Sequence, residues 1–110
     1  MSRDEVVREI VSRLVRYFQP DRIYLFGSAA RGEDRPGSDL DFLVLLPDEA
    51  PGELLVSGRE YECLAGILVP VDVVPIRRST FEARKHWLMS LPAIALREGQ
   101  VVYDAPPAAA

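Results

Sequence analysis

Three aspartates stand in or beside apolar segments, where carboxylates are uncommon. Asp39 and Asp41 lie at the entrance to the apolar run 40–46, and Asp72 stands alone among valines and prolines. Because the side chains of a strand alternate with period two, Asp39 and Asp41 should project from the same face. Like charges so placed repel each other unless cations or protons neutralise them. Their hard oxygen atoms suit Mg²⁺, with Mn²⁺ as a second candidate metal.

Asp72 can join this pair if its strand lies beside strand 40–46. An unpaired buried carboxylate is costly, so something should compensate for its charge. Three carboxylates that face one another could hold two metal ions and support in-line attack on the α-phosphate of a nucleotide. The alternative is that the aspartates are solvated, Asp39 in a loop and Asp72 at a strand edge that faces water.

Gly27 and Ser28, at the end of the first predicted strand, predict a seat for a phosphate group. Glycine lets an anion approach the backbone closely, and amide groups left unpaired where a strand turns into a helix can point at that anion. Ser28 adds a hydroxyl donor, and Arg31 can reach the same anion with its planar guanidinium. An ordinary Gly-Ser turn with a solvated arginine is the alternative. The nearby aspartates favour the phosphate seat.

The elements that position these residues follow from the pattern of apolar residues. Helical spacing and the capping-box pair Ser2 and Glu5 predict a helix over 3–18. Short β-prone runs predict four strands, at 23–26, 40–46, 70–75 and 101–103. Further helices are predicted over 53–68, 79–89 and 91–97. The second of these begins at another capping-box pair, Ser79 and Glu82.

Composition indicates one globular domain. The chain has 110 residues, of which 48% are apolar and 27% charged, and we expect a domain over 1–104 with a disordered tail at 105–110. The apolar runs are shorter than the roughly 20 residues that span a bilayer, and the N-terminus has no apolar signal core. We therefore expect a cytoplasmic protein. A net charge of −4 disfavours non-specific binding to duplex DNA.

The remaining reactive or aromatic residues favour structural roles. Cys63 is the only cysteine, which excludes an internal disulfide and a cysteine-based zinc site. His86 has no partner spacing typical of nucleophilic catalysis. Trp87 and its apolar neighbours could form either core or an exposed docking face, and the core is the preferred interpretation.

The motif as a whole resembles a known family. Gly27-Ser28, ten further residues, Asp39-Leu40-Asp41 and a later Asp72 between β-branched residues resemble the DNA polymerase beta nucleotidyltransferase superfamily. In particular, the chain is similar to the minimal nucleotidyltransferases that act as antitoxins to HEPN-domain toxins. The resemblance covers about residues 5–104. It implies an α/β (α+β) fold in which a small mixed sheet is flanked by helices.

This resemblance also implies ATP as substrate, two Mg²⁺ ions and transfer of AMP to a protein hydroxyl. Asp39 and Asp41 would be the metal-binding pair, Asp72 the third ligand and general base, and Gly27 and Ser28 would hold the β- and γ-phosphates. In the antitoxin group the acceptor is a tyrosine of the paired toxin, which adenylylation silences. Two alternatives stay open: transfer to a small-molecule hydroxyl, and a non-catalytic module that neutralises a toxin by contact.

Overall fold

The computed structural model describes residues 2–27, 29–32, 39–56 and 58–106, which form a mixed four-stranded sheet between two helical layers. The strands are β1 (Arg22–Phe26), β2 (Leu40–Leu46), β3 (Val71–Arg77) and β4 (Gln100–Asp104). They lie in the order β3-β2-β1-β4; β2 and β3 are parallel, and β1 is antiparallel to both of its neighbours. This architecture confirms the fold class predicted from the sequence.

The first helix, α1 (Arg3–Phe18), has the predicted bounds and the predicted cap. The Ser2 hydroxyl accepts a hydrogen bond from the Glu5 amide at 3.2 Å and donates one to the Glu5 carboxylate at 3.0 Å. The capping box thus satisfies a terminal amide that the helix itself leaves unpaired. The buried side chains of the helix are Val7, Ile10, Leu14 and Phe18. This apolar stripe packs on one face of the sheet.

Strand β2 is covered on both faces, which explains its almost continuous apolar sequence. The side chains that pack in the α1 core are Leu40, Phe42, Val44 and Leu46. Leu43 and Leu45 pack in a second core with residues of α3 (Arg78–Arg84) and α4 (Leu91–Glu98). There Phe81 of α3 stacks on Tyr24 of β1 with ring centroids 5.8 Å apart. By strand alternation Asp41 belongs to this second face.

The connection between β2 and β3 differs from the prediction. In place of one helix over 53–68, it contains a 3₁₀ turn at Gly52–Leu55 and one helical turn, α2 (Glu60–Cys63). Gly58 and Gly66 have φ angles of +111° and +88°. A right-handed helix cannot pass through these conformations, so the helix prediction was wrong.

The helix predicted over 79–89 is shorter than expected, and its predicted cap was wrong. Helix α3 ends at Arg84, and no side chain of its own first turn caps it. The Ser79 amide instead donates to the Asp48 carboxylate at 2.8 Å, across the β2–β3 connection. This hydrogen bond lowers the pKa of Asp48. Asp48, which is distant in sequence, therefore accepts the hydrogen bond that Glu82 was expected to accept.

The apolar residues after α3 lie at the surface. Trp87, Leu88 and Met89 are 60%, 72% and 80% exposed, so the core position predicted for Trp87 was wrong. The chain leaves the helix after Arg84 and continues in turns, so these three side chains are not part of the helix face that packs on the sheet. Phe81, inside the helix, is buried as a core residue.

The C-terminal elements follow the prediction. The Ser90 hydroxyl accepts from the Ala93 amide and caps α4, and β4 includes the predicted strand at 101–103. Residues 107–110, most of the predicted tail, lie outside the described residues. In the part of the chain that the structure describes, no helix combines the length and the apolar character needed to cross a bilayer.

Candidate active site

The parallel pairing of β2 and β3 places Asp41 directly beside Asp72. The Leu40 amide donates to the Pro70 carbonyl at 2.9 Å, which helps to set the register at the point where both strands begin. Asp41 is half-buried, and Asp72 is exposed. Asp39 immediately precedes β2 and is also exposed. The structure thus brings together the two carboxylates that the sequence predicted on adjacent strands.

The environment of Asp41 disfavours its charged form. Partial burial raises the pKa of Asp41 most, followed by the charge of Asp72, a hydrogen bond between the two carboxyl groups and the charge of Asp39. A hydrogen bond between two carboxyl groups requires a proton on one of them. A proton or a cation would reduce this repulsion, and metal binding at this position stays a prediction.

A complete metal centre is not preassembled: among residues 2–27, 29–32, 39–56 and 58–106, no group of three acidic, histidine or cysteine side chains is placed to hold a metal ion. Asp39 affects Asp41 by charge only, without a hydrogen bond. The chemistry of the donors nevertheless fits a hard divalent cation, because Asp41 and Asp72 present adjacent oxygen ligands that repel each other in its absence. Asp39 is exposed, and strand alternation places it on the same face as Asp41.

Gly27 brings the end of β1 against the Asp41 carboxylate. Phe26 is the register partner of Asp41, and Gly27 follows it with a φ of +77°. A Cβ atom built on Gly27 would collide with Oδ2 of Asp41. The backbone conformation therefore favours glycine here, and a larger residue would also displace the Asp41 carboxylate. Ser28, the next residue of the predicted phosphate seat, lies outside the described residues.

Residues 29–32 form a hydrogen-bonded turn. The Arg31 amide donates to the Gly27 carbonyl, and the Gly32 amide donates to the Ala29 carbonyl, each at 3.3 Å. The Arg31 guanidinium forms an ion pair with Glu98 of α4 at 3.6 Å. Its contact with a phosphate stays a prediction, and such a contact would have to compete with Glu98.

Two side chains that the sequence analysis missed hold this turn in place. Arg3 Nη2 donates to the Ala29 carbonyl at 2.7 Å, and Gln100 Nε2 donates to the Ala30 carbonyl at 3.2 Å. They come from opposite ends of the chain, and no local spacing relates them to the Gly-Ser motif. A charged donor on a carbonyl is stronger than a neutral one, so Arg3 should be the more important anchor.

Replacing Arg3 with alanine should weaken the binding of ATP with Mg²⁺ by about threefold to tenfold. A hydrogen bond from a charged group contributes about 1.5–3 kcal/mol, and tenfold in affinity is about 1.4 kcal/mol. We expect part of this loss because the turn must then be ordered on binding. Calorimetry measures the effect, and Arg8→Ala, at an exposed arginine of the same helix, is the matched control. Equal affinities for the two variants would contradict the anchoring role.

Replacing Asp41 with asparagine should stabilise the metal-free protein at neutral pH. A raised carboxyl pKa means that Asp41 favours folding when protonated, below its ordinary value of 3.8, and that this contribution is lost as pH rises through the folded pKa. Asparagine carries no charge, so it removes the cost of the charged Asp41 at neutral pH. Because solvent screens this charge, the free energy of unfolding should rise by less than about 1 kcal/mol. Melting curves of both proteins, recorded in chelator from acid to neutral pH, measure this difference in stability. The gain of the variant should vanish below the ordinary carboxyl pKa of 3.8. An equal gain at all pH values would contradict the electrostatic cause.

The fold and the carboxylates at β2 and β3 define a class of protein. The sequence profile of the nucleotidyltransferase domain family matches residues 5–99, and the chain belongs to this family. Its mixed sheet with flanking helices is the polymerase-beta-like nucleotidyltransferase fold. No curated protein matches the chain in sequence.

Solved structures share the fold. A protein from Sulfolobus solfataricus, described as a candidate nucleotidyltransferase, is 22% identical with a TM-score of 0.58 over 91% of this chain and 78% of its own. A toxin–antitoxin structure with AMP-PNP is 24% identical, with a TM-score of 0.54 and coverages of 89% and 73%. The toxin–antitoxin MntA–HpeT, with a tyrosine-to-alanine substitution, is 20% identical, with a TM-score of 0.53 and coverages of 96% and 74%. At these identities the likeness concerns the fold.

Proposed function

We propose that the chain is a magnesium-dependent adenylyltransferase that moves AMP from ATP to a hydroxyl of a partner protein. The observation that carries this proposal is the pairing of Asp41 with Asp72 on adjacent parallel strands, with Gly27 packed against Asp41. A carboxylate pair beside a tight turn at a strand end suits a nucleotide triphosphate escorted by cations. We place the reaction in the cytoplasm, as expected from the sequence.

The reaction follows from these groups. The acceptor oxygen attacks the α-phosphorus of ATP, the bond from that phosphorus to the α,β-bridging oxygen breaks, and pyrophosphate leaves. Asp72 takes the proton of the acceptor hydroxyl. Asp39, Asp41 and Asp72 would hold two Mg²⁺ or Mn²⁺ ions, and such ions would neutralise charge on the triphosphate and lower the pKa of the acceptor hydroxyl. The backbone at Gly27 and the side chains of Ser28 and Arg31 would bind the phosphates.

A protein acceptor fits the exposure of the site. Asp39 and Asp72 are open to solvent, so a side chain on a protein surface can reach them. Two solved structures with this fold are toxin–antitoxin assemblies, one of them with AMP-PNP. Together with the resemblance of the motif, these neighbours support an antitoxin role. The partner would be a HEPN-type toxin, and the acceptor a tyrosine of that toxin.

The binding of ATP should depend on divalent cations. Asp39, Asp41 and Asp72 repel an unescorted triphosphate, so Mg²⁺ or Mn²⁺ should strengthen binding by about tenfold or more, equivalent to about 1.4 kcal/mol. Calorimetry with ATP, in excess chelator and in Mg²⁺, measures this difference. Asp104→Asn, at the opposite end of the sheet, should keep the metal dependence. Equal affinity in chelator and in Mg²⁺ would remove the metal site from the proposal.

A further inference from the structure

An apolar surface extends from the candidate active site along β3. Val74 is two residues from Asp72, so strand alternation places both on the same face of the sheet, and Val74 is 37% exposed. Val74 and Trp87 line one cleft, and the exposed Leu88 and Met89 follow Trp87 in the chain. Scattered apolar residues on a surface are ordinary, but a contiguous group of large ones marks an interaction site.

The cleft has a volume of about 500 Å³ and lies between β3 and the segment that joins α3 to α4. Its walls are mainly apolar, with contributions from Val74, Ile76, Trp87 and Leu91. Arg84 closes one side, and its guanidinium lies 5.7 Å from the centre of the Trp87 ring. A cleft of this size and character can take apolar side chains of an incoming segment.

The rim of the cleft is basic, although the chain as a whole is acidic. Between Val73 and Leu96 there are four basic residues, Arg77, Arg78, Arg84 and Lys85, and one acidic residue, Glu82. Arg78 and Lys85 form ion pairs with Asp21 and Glu82.

One of the two arginines that line the cleft keeps its charge available. Arg77 donates to the backbone carbonyls of Asp48 and Ala50, at 2.7 and 2.8 Å, and its charge also acts on the Asp48 carboxylate. Arg84 has no carboxylate partner among the described residues, and its cation–π contact with Trp87 leaves its charge uncompensated. Both arginines line the cleft. The rim therefore complements acidic side chains.

We propose that this cleft docks the acceptor protein, through a segment in which an apolar side chain is flanked by acidic residues. The apolar side chain enters beside Trp87, and an acidic residue pairs with Arg84. Val74 lines the cleft and lies on the same face of β3 as Asp72. A partner bound in the cleft can therefore place its acceptor hydroxyl beside the carboxylates. This inference rests on the proposed function. A symmetric pairing of two copies of this chain is disfavoured because it would place two basic rims together.

The only tryptophan of the chain provides a direct test, since Trp87 lies in the cleft. Labelling with 5-fluorotryptophan gives one ¹⁹F resonance, which we expect to shift when an unlabelled HEPN-type toxin is added. Mg²⁺ with AMP-PNP alone should leave it almost unchanged. If AMP-PNP shifted the resonance as fully as the toxin, or if it shifted with the concentration of the chain itself, the occupant would be the nucleotide or a second copy, and the inference would fail.

Charge reversal tests the basic rim. Arg84→Glu should reduce AMP transfer at subsaturating toxin by about tenfold or more, while the affinity for ATP with Mg²⁺ stays unchanged. Leu88→Ser, at a side chain that is 72% exposed and so tolerant of substitution, should reduce transfer in the same way. Arg8→Glu, on the α1 side of the sheet, is the control and should transfer at the unmodified rate.

The results separate docking from catalysis. Normal transfer by Arg84→Glu and Leu88→Ser, with an unmoved ¹⁹F resonance, would overturn the docking surface and leave the proposed function intact. A resonance that shifts with toxin while the unmodified chain transfers no AMP would support the docking surface and contradict the proposed function. A resonance that stays unmoved without any transfer would contradict both.

Discussion

Asp72→Asn should lower AMP transfer by about 10³-fold or more while the fold and partner docking survive. Asparagine keeps the shape of the side chain but supplies neither a base nor a full metal-binding charge. A loss of several kcal/mol of transition-state stabilisation, at about 1.36 kcal/mol for each factor of ten, gives this magnitude. Asp72 is exposed, so no packed contact is lost. The initial rate of adenylylation of the partner measures the effect, and the melting curve checks the fold.

The matched control is Asp104→Asn, the same substitution at the far end of the sheet, where Asp104 is the register partner of Arg22. Loss of its exposed ion pair with Arg22 should have little effect on stability and none on transfer. Toxin neutralisation in cells adds a second readout. If Asp72→Asn neutralised the toxin as fully as the unmodified protein at equal expression, binding alone would suffice, and the non-catalytic alternative would replace the enzyme.

Gly27→Ala should damage both stability and activity. A φ of +77° costs an alanine about 1–2 kcal/mol, or about 5–15 °C in Tm for a domain of this size. The new Cβ must also displace the Asp41 carboxylate, which it would otherwise overlap. Misplacing a catalytic group by about 1 Å can cost about 10²-fold in rate, so we expect at least this loss in transfer by the folded protein.

Gly66→Ala separates the two causes. Gly66 also has a positive φ, +88°, but a Cβ there would meet no atom within 4 Å. We therefore expect a comparable loss of Tm with normal transfer by the folded protein. An equal loss of rate in both variants, measured well below their melting temperatures, would show that Gly27 matters only through stability.

The parts of the fold that the sequence predicted depend on local signals. Helix α1 has its cap and its apolar stripe within one short segment, from Ser2 to Phe18, and β2 is a short apolar run that ends before Pro47. The failed helix at 53–68 shows the limit of such signals. Its apolar residues suited a helix, but the backbone conformations of Gly58 and Gly66 prevented one.

The candidate site was predictable where strand alternation applied. Asp39, Asp41 and Asp72 were found because carboxylates beside apolar strands are unusual, and the pairing of β2 with β3 then placed Asp72 beside Asp41. Contacts between distant segments could not be predicted from strand alternation. Arg3 reaches a turn 26 residues away, and Gln100 reaches it from 70 residues away. These hydrogen bonds depend on tertiary packing, so the spacing of residues in the sequence could not predict them.

Intact mass spectrometry of the purified chain, incubated with Mg²⁺, nucleotide and a HEPN-type toxin, tests the central claim most directly. We expect the toxin to gain one adenylyl group with ATP and also with AMP-PNP, because AMP transfer breaks the bond at the α-phosphorus and leaves the β,γ-bridge intact. An analogue with a methylene group between the α- and β-phosphorus atoms should give no gain. A toxin of unchanged mass with ATP, or one that gains a single phosphate group, would contradict AMP transfer.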